Sequence, residues 1–130
     1  MNTTNKILSE ISAGELMDKI TILEIKKVKI TDPEKQVIIN KELNSLHSTY
    51  QASLTHSPEL QEQITKLKNI NLKLWDIEDG KRAAEKNNEF GEKFIELARN
   101  VYKFNDERAK IKFNINNLLG SNIKEVKSYK

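Results

Sequence analysis

The chain contains no cysteine, only 4 Gly and 2 Pro among its 130 residues, and no apolar run longer than the three residues Val37 to Ile39. The absence of cysteine excludes a disulfide-stapled scaffold and a cysteine-based zinc site. The scarcity of Gly and Pro excludes a collagen-like or loop-rich fold. A three-residue apolar run is far short of the roughly 20 residues that a transmembrane helix requires, so we expect no membrane span.

Charges of the two signs are nearly balanced. The chain has 22 basic and 19 acidic residues and a net charge of +3. Lys and Glu alternate along most segments, whereas a surface that follows a nucleic-acid backbone collects its cations on one face, so we expect no nucleic-acid partner. The N-terminal residues lack the positively charged segment followed by an apolar segment that is typical of a secretory signal. Together with the lack of cysteine, this predicts a cytoplasmic protein.

Capping residues and prolines divide the first half of the chain into helical segments. Ser12 and Glu15 match a capping box, in which the Ser hydroxyl accepts from the third helical amide and the Glu carboxylate returns to the cap amide. The first helix is therefore predicted from Ser12 to about Ile30. The Asp-Pro and Ser-Pro pairs at Pro33 and Pro58 are typical of helix starts. The second helix is predicted to run to about Leu54.

The C-terminal half predicts two longer helices. The third begins after Ser57, and we expect it to fray or bend between Gly80 and Asn88, where apolar residues disappear. Asn88 is expected to cap the fourth helix, since Asn is a favourable N-cap residue. Gly120 follows the last apolar residues as a left-handed stop.

Together, these segments predict an all-α fold, an antiparallel four-helix bundle in a single domain over residues 1–130. Residues 1–11 form an arm and residues 121–130 a polar tail. At about 1.5 Å per residue, the first two helices are roughly 30 Å long and the last two approach 45 Å, so the outer end of the long pair is left uncovered. Two alternatives can cover this long-helix end: a second copy, which gives a homodimer, or the arm and tail folded back over it.

The few arginines mark candidate binding positions. The chain has 19 Lys but only three Arg, namely Arg82, Arg99 and Arg108, and arginine is the residue that supplies a planar bidentate donor. Arg108 interrupts the apolar pattern of the fourth helix, so we expect it at the core edge beside a carboxylate. Two interpretations stay open, an ion-pair network that fixes helix register and a pocket that binds an anion. The candidate partners of Arg108 are Asp18, Glu24, Asp76 and Asp79.

Two carboxylate pairs could bind a metal ion. Glu15 and Asp18 are three residues apart on the first helix, and Asp76 and Asp79 are three apart on the third, so each pair projects from one helical face. If the two faces met, their oxygens could hold Mg²⁺ or Mn²⁺. Such a site would resemble that of the all-helical nucleotide pyrophosphohydrolases, although their doubled Glu-Glu-x-x-Glu start is missing here. The alternative function is then a metal-dependent enzyme of that kind.

Trp75, the only tryptophan, lies beside the apolar stripe of the third helix. It either packs in the core or forms the floor of a ligand pocket. A polar patch is expected from Glu15, Asp18, Asp79, Arg99 and Arg108. The full set of candidate ligand-binding residues is Glu15, Asp18, Lys19, Trp75, Asp79, Arg82, Arg99, Tyr102 and Arg108.

Several blocks of the chain resemble a known group of proteins. The most specific runs from Ile11 to Lys26 (ISAGELMDKITILEIK), supported by Leu74 to Asp79 (LWDIED), Phe94 to Gly120, and Glu125 to Tyr129. These blocks are similar to small stand-alone bacterial and phage proteins grouped only as a domain of unknown function. The resemblance implies a cytosolic single-domain protein and supplies no activity.

The features above predict a non-enzymatic helical binding or assembly module that acts as a dimer without a cofactor. The alternatives to this module are the metal-dependent hydrolase and a regulator that binds a small anionic ligand through the arginines.

Overall fold

A computed structural model describes residues 5–127 and shows four α-helices, with no strand in that range. These are α1 (Ala13–Lys29), α2 (Pro33–Ser53), α3 (Pro58–Lys86) and α4 (Glu92–Leu118). The helices have 17, 21, 29 and 27 residues. The prediction of an all-α bundle with two longer C-terminal helices is confirmed. No helix among the described residues is long and apolar enough to cross a membrane.

The first helix forms the centre of the bundle. It packs against each of the other three helices, and α3 and α4 pack against each other as an antiparallel hairpin. On α2, the buried side chains are Ile39 and Leu43. The fully buried apolar centre combines Ile20 of α1, Leu60 and Leu67 of α3 and Ile115 of α4. The core therefore follows α1 along its length.

Three of the four helix starts lie where the sequence predicted them. At each one, a side-chain oxygen accepts a hydrogen bond from the backbone amide three residues later, which satisfies one of the free amides of the first turn. The acceptor and donor pairs are Ser12 with Glu15, Asp32 with Lys35, and Ser57 with Leu60.

The connection between α3 and α4 differs from the prediction. α3 continues through Gly80 to Lys86, because Gly80 faces Leu97 of α4 and the hairpin packing supports the helix there. Asn88 does not cap α4. It has a left-handed φ of 55° and ends α3 instead, while α4 begins after Gly91, which offers no side-chain cap.

The described parts of the arm and tail lie away from the long-helix end. The amide of Ala13 donates to Oγ of Ser121 at 3.1 Å, and Nδ2 of Asn122 donates to Glu10 at 2.7 Å. Both contacts are at the C-terminal end of α4, whereas the loop between α3 and α4 is at its N-terminal end. Within residues 5–127, the second alternative, in which the arm and tail fold back over the long-helix end, is therefore not formed, and Phe90 remains 50% exposed.

Candidate binding site

A buried ion pair between α1 and α4 forms the centre of the site. Asp18 is only 1% exposed. Arg108 donates from Nε to Oδ1 of Asp18 at 2.9 Å and from Nη2 to Oδ2 of the same carboxylate. This is the planar bidentate arrangement that arginine favours. Of the four carboxylates proposed for Arg108, the structure selects Asp18.

The third helix joins this pair through a buried amide. Nδ2 of Asn71 donates to Oδ1 of Asp18 at 3.0 Å and to Oγ1 of Thr21 at 3.1 Å. Oγ1 of Thr21 in turn donates to the backbone carbonyl of Asp18 at 2.9 Å. Because each buried polar atom has a partner, the network avoids the cost of an unsatisfied group and fixes α1, α3 and α4 in one register.

The network keeps Asp18 ionised. Burial by itself opposes the charged form, but hydrogen bonds from Arg108 and Asn71, and the charges of Arg108 and Lys112, outweigh it and hold the pKa of Asp18 below its usual value of 3.8. The carboxylate of Asp18 raises the pKa of Arg108 against the opposing effect of burial. Both groups are therefore charged at neutral pH.

Lys112 extends the network toward the tail. Its Nζ lies 2.6 Å from Glu15, 3.9 Å from Asp18 and 3.8 Å from Glu125. Oγ of Ser12 donates to Glu125 at 2.8 Å. The carboxylate of Glu15 therefore binds Lys112, and only the Ser12 half of the predicted capping box is formed among the hydrogen bonds of the described residues.

The start of α1 approaches α4 closely. The amide of Gly14 donates to Oδ1 of Asn116 at 2.6 Å. A Cβ atom at position 14 would lie 2.4 Å from the carbonyl oxygen of Lys112, far inside van der Waals contact. Glycine is therefore required here for a steric reason.

A cavity of about 780 Å³ opens beside Arg108, between α1, α3 and α4 and with Lys35 of α2 at its edge. This volume is within the range of about 300 to 1,000 Å³ that is typical of small-molecule sites. One wall is aliphatic and aromatic, and the rim carries charges of both signs. The lining residues are Ile22, Ile30, Lys35, Asn71, Leu74, Trp75, Glu78, Asp79, Arg82, Asn105 and Arg108.

The structure places four of the predicted ligand-binding residues in this cavity and two in the adjoining network. Trp75, Asp79, Arg82 and Arg108 line the cavity. Of the other predicted residues, Glu15 and Asp18 belong to the ion-pair network.

The remaining three predicted residues lie elsewhere. Lys19 is 3.7 Å from Glu15 on the exposed side of α1, and Tyr102 is 56% exposed on α4. Arg99 is nine residues from Arg108, and at about 100° per residue the two side chains leave α4 in opposite directions. The predicted patch that combined Arg99 with Arg108 is therefore wrong.

The two acidic pairs do not form one group. Among the described residues, no three His, Asp or Glu side chains lie close enough together to hold a metal ion. Both oxygens of Asp18 bind Arg108, and Asp76 is exposed and absent from the cavity lining. The hydrolase-like arrangement of carboxylates is not assembled here.

Comparison with protein families gives a match over most of the chain. Residues 7–130 match a family of unknown function, DUF6165. The chain belongs to this family. Comparison with curated proteins and with solved structures gives no match. Membership of DUF6165 confirms the expected uncharacterised family and assigns no activity.

In this DUF6165 member, sequence reasoning missed several polar residues of the site. They are Asn71, Asn105, Lys112 and Glu125. A signal for some of them was present, because Asn105, Arg108, Lys112 and Asn116 follow one another at spacings of three and four along α4. Such a polar row beside an apolar stripe indicates a buried polar seam. Glu125 carries no comparable signal, since it lies in the tail.

Proposed function

We propose that this protein is a non-enzymatic helical binding module, and that the cavity beside Arg108 holds a small organic anion. The observation that carries the proposal is a positioned guanidinium at the cavity wall. Arg108 is held by Asp18 and by Oδ1 of Asn105, which accepts from Nη1 at 3.2 Å. A guanidinium has five N–H groups, so two remain for a ligand after these three bonds within the described residues.

The orientation of Arg108 supports binding without rearrangement. Its side chain is 29% exposed while its partner Asp18 is 2% exposed, so the ion pair presents only the arginine to the cavity. A carboxylate or phosphate there can accept two hydrogen bonds from a group that is already fixed. Arg82 and Lys35 add exposed positive charge at the rim.

The remaining lining residues favour a ligand with an apolar body. Trp75 and Leu74 of α3 and Ile22 of α1 supply an aromatic and aliphatic wall, which can bury a ring or a short alkyl chain. Asp79 provides an acceptor for a hydroxyl or amine of the ligand. The combination suits an aromatic or aliphatic acid, or a phosphate ester, better than a metal ion.

The single tryptophan makes the proposal directly testable. Because Trp75 lines the cavity, its fluorescence reports occupation by the ligand. Titration at constant ionic strength uses benzoate, succinate, inorganic phosphate and adenosine monophosphate, which separate carboxylate from phosphate recognition. We expect at least one organic anion to change the emission in a saturable way, with a Kd of about 1 mM or tighter.

Two arginine variants provide a test and its matched control. Arg82→Gln should weaken binding about tenfold, the usual effect of losing one charge-assisted hydrogen bond. Arg99→Gln, on the side of α4 opposite Arg108, is the control and should leave the Kd unchanged. Calorimetry on both variants measures this independently of Trp75. The proposal is wrong if no anion changes the emission, or if the two variants weaken binding equally.

We also propose that the module is a cytoplasmic homodimer, as the sequence predicted. What supports the dimer is exposed apolar surface on α4 and at the long-helix end, including Phe90 at 50% and Ile95 at 53% exposure.

A further inference from the structure

The outward face of α4 carries a regular stripe. The spacings between its positions alternate between four and three residues, which is the pattern of contact positions when two helices pack along each other. Three large side chains of the stripe are exposed, Ile95 by 53%, Tyr102 by 56% and Phe113 by 48%. The complete stripe is Ile95, Arg99, Tyr102, Asp106, Ala109 and Phe113.

The two charged residues of this stripe have no ion-pair partner within residues 5–127. Arg99 and Asp106 are absent from the salt bridges of that range. They are seven residues apart, about 10 Å along the helix axis, which is too far for a direct bond between them. Each is available to a partner that supplies the opposite charge at the right height.

We propose that a second copy of this chain covers the stripe, with the two α4 helices antiparallel and the twofold axis at the level of Phe104. In this register, Ile95 lies opposite the partner's Phe113, and Arg99 lies opposite the partner's Ala109. Tyr102 lies opposite the partner's Asp106. Each pair occurs twice by symmetry, so the surface is self-complementary, as a twofold interface requires.

Charge complementarity selects this register. Arg99 is then about 4.5 Å in axial height from the partner's Asp106, within reach of a guanidinium, and the small Ala109 leaves space for the arginine. On the flank of the seam, Glu96 faces the partner's Lys110, the kind of pair that sets helix orientation in coiled coils. The Lys103 side chains of the two copies lie close together near the twofold axis. Their repulsion is reduced because these long side chains can turn toward solvent.

The tail completes a receiving groove for Ile95 of the partner. A cavity of about 440 Å³ lies between α4 and the tail, lined by Ala109, Phe113 and Val126 among others. Val126 is 90% exposed, so its apolar surface is uncovered in a single chain. Lys110 and Lys127 border the same groove. In the dimer they lie opposite the partner's Glu92 and the partner's Glu96, which flank the partner's Ile95.

The interface is independent of the proposed ligand cavity. None of the stripe residues lines that cavity, because α4 presents the stripe on the side away from α1 and α3. The proposed dimer contact lies along α4 and shares only Ile95 with the long-helix end. A failure of the dimer would therefore leave the ligand proposal standing.

A charge exchange tests the register. Sedimentation velocity over a range of concentrations measures the dimer Kd of the parent, Arg99→Asp, Asp106→Arg and the double variant. Each single reversal places like charges together and should raise the Kd about tenfold or more. The double variant exchanges the two charges across the axis and should restore the Kd to within about threefold of the parent.

Glu85→Arg, at an exposed position of α3, is the control and should not change the Kd. Circular dichroism checks that all variants remain helical. The proposal is overturned by a chain that stays monomeric up to about 1 mM. It is equally overturned by single variants that dimerise as well as the parent, or by a double variant that stays as weak as the singles.

Spin labels distinguish antiparallel from parallel pairing. Because the chain has no native cysteine, Lys93→Cys and Lys103→Cys each give one labelled site per chain. In the antiparallel register, the two labels at position 93 are separated by about 33 Å along the axis and those at position 103 by about 3 Å. Equal short distances at both positions would indicate a parallel dimer and contradict the proposal.

Discussion

Gly14 must be glycine because the packing of α1 against α4 leaves no room for a side chain at this position. Its amide bonds Asn116, and its Cα faces the backbone of α4 at Lys112. The position follows the N-cap Ser12 by two residues, where other amino acids are compatible with a helix. The requirement for glycine therefore comes from the neighbouring helix and cannot be inferred from local backbone preference.

Replacing Gly14 with alanine should destabilise the protein by about 2 to 3 kcal/mol, since the added Cβ would meet the backbone carbonyl of Lys112, which cannot move aside. Gly80→Ala is the matched control. There the nearest atom, at 3.3 Å, is the end of the flexible Leu97 side chain, and alanine gains helix propensity. Urea unfolding should show a large loss for the first variant and no loss for the second.

The Asp18 carboxylate is the residue on which the polar network depends. Asp18→Asn leaves Arg108 without its charged partner in a partly buried position, so the free energy of unfolding should fall by about 3 kcal/mol. Glu24→Gln removes a carboxylate from a partly exposed pair with Lys68, 3.4 Å apart, and should cost less than about 0.5 kcal/mol. Equal losses in denaturant unfolding would show that the buried network contributes no more than a surface pair.

The pH dependence follows from the lowered pKa of Asp18. Because the folded state holds this carboxyl below its unfolded value, its stabilising contribution is present above that value, near 3.8, and is lost as the pH falls through the folded pKa. The difference in unfolding free energy between the parent and Asp18→Asn should be constant above about pH 5 and shrink at lower pH. A difference that grows on acidification would contradict this assignment.

At the scale of the helix, α3 and α4 end in the same way. At the end of α3, the amide of Glu89 donates to the carbonyl of Ala84 at 2.8 Å, around the left-handed Asn88. At the end of α4, Ser121 donates to Asn116 at 2.8 Å around Gly120, which has a φ of 62°. Both are Schellman motifs, which satisfy carbonyls that the last helical turn leaves free.

Asn88 should respond to substitution as a left-handed residue. Asn88→Gly should be neutral or slightly stabilising, because glycine adopts a positive φ without strain. Asn88→Val should cost about 1 to 2 kcal/mol, since a β-branched side chain is unfavourable there. Thermal unfolding of the two variants provides the comparison. If Asn88 were instead an N-cap of α4, glycine and valine would not separate in this way.

The helix starts were predictable where a side chain supplies the cap, and only there. Ser12, Asp32 and Ser57 bond an amide three residues later, so a short stretch of sequence contains the whole interaction. The start of α4 was missed because Gly91 makes no side-chain cap. Asn88 was misassigned because asparagine suits both an N-cap and a left-handed C-terminal position, and the choice depends on the hairpin geometry.

At the scale of the whole molecule, the arrangement of the site was only partly contained in the sequence. The position of Arg108 beside a carboxylate was predictable, because a charge within an apolar stripe needs a counter-charge. Four carboxylates were candidates, however, and the structure identifies Asp18 among them. Arg99 was placed wrongly although its nine-residue spacing from Arg108 already directs the two side chains to opposite faces of one helix. The position of the tail was not predictable, since short polar segments have no periodicity and are placed by tertiary contacts.

The tail connects the ends of α1 and α4 and so acts on the bundle as a whole. Glu125 accepts from the hydroxyl of Ser12, which is 1% exposed, and lies near Lys112. Ser121 accepts from the amide of Ala13. Two donors at the start of α1 therefore depend on residues more than 100 positions later in the chain.

Glu125→Ala should loosen this end of the molecule while the remainder of the bundle stays intact. Removing the acceptor leaves the buried Ser12 hydroxyl and Lys112 less well satisfied, at a cost of about 1 kcal/mol. Hydrogen exchange should then become about fivefold faster in the first turn of α1 and the last turn of α4, and stay unchanged at the centre of α3. Lys124→Ala is the control, because Lys124 bonds only the exposed side chain of Asn117 among the described residues. If both variants exchange alike, or if protection falls uniformly over the four helices, the tail is not a local clamp between α1 and α4.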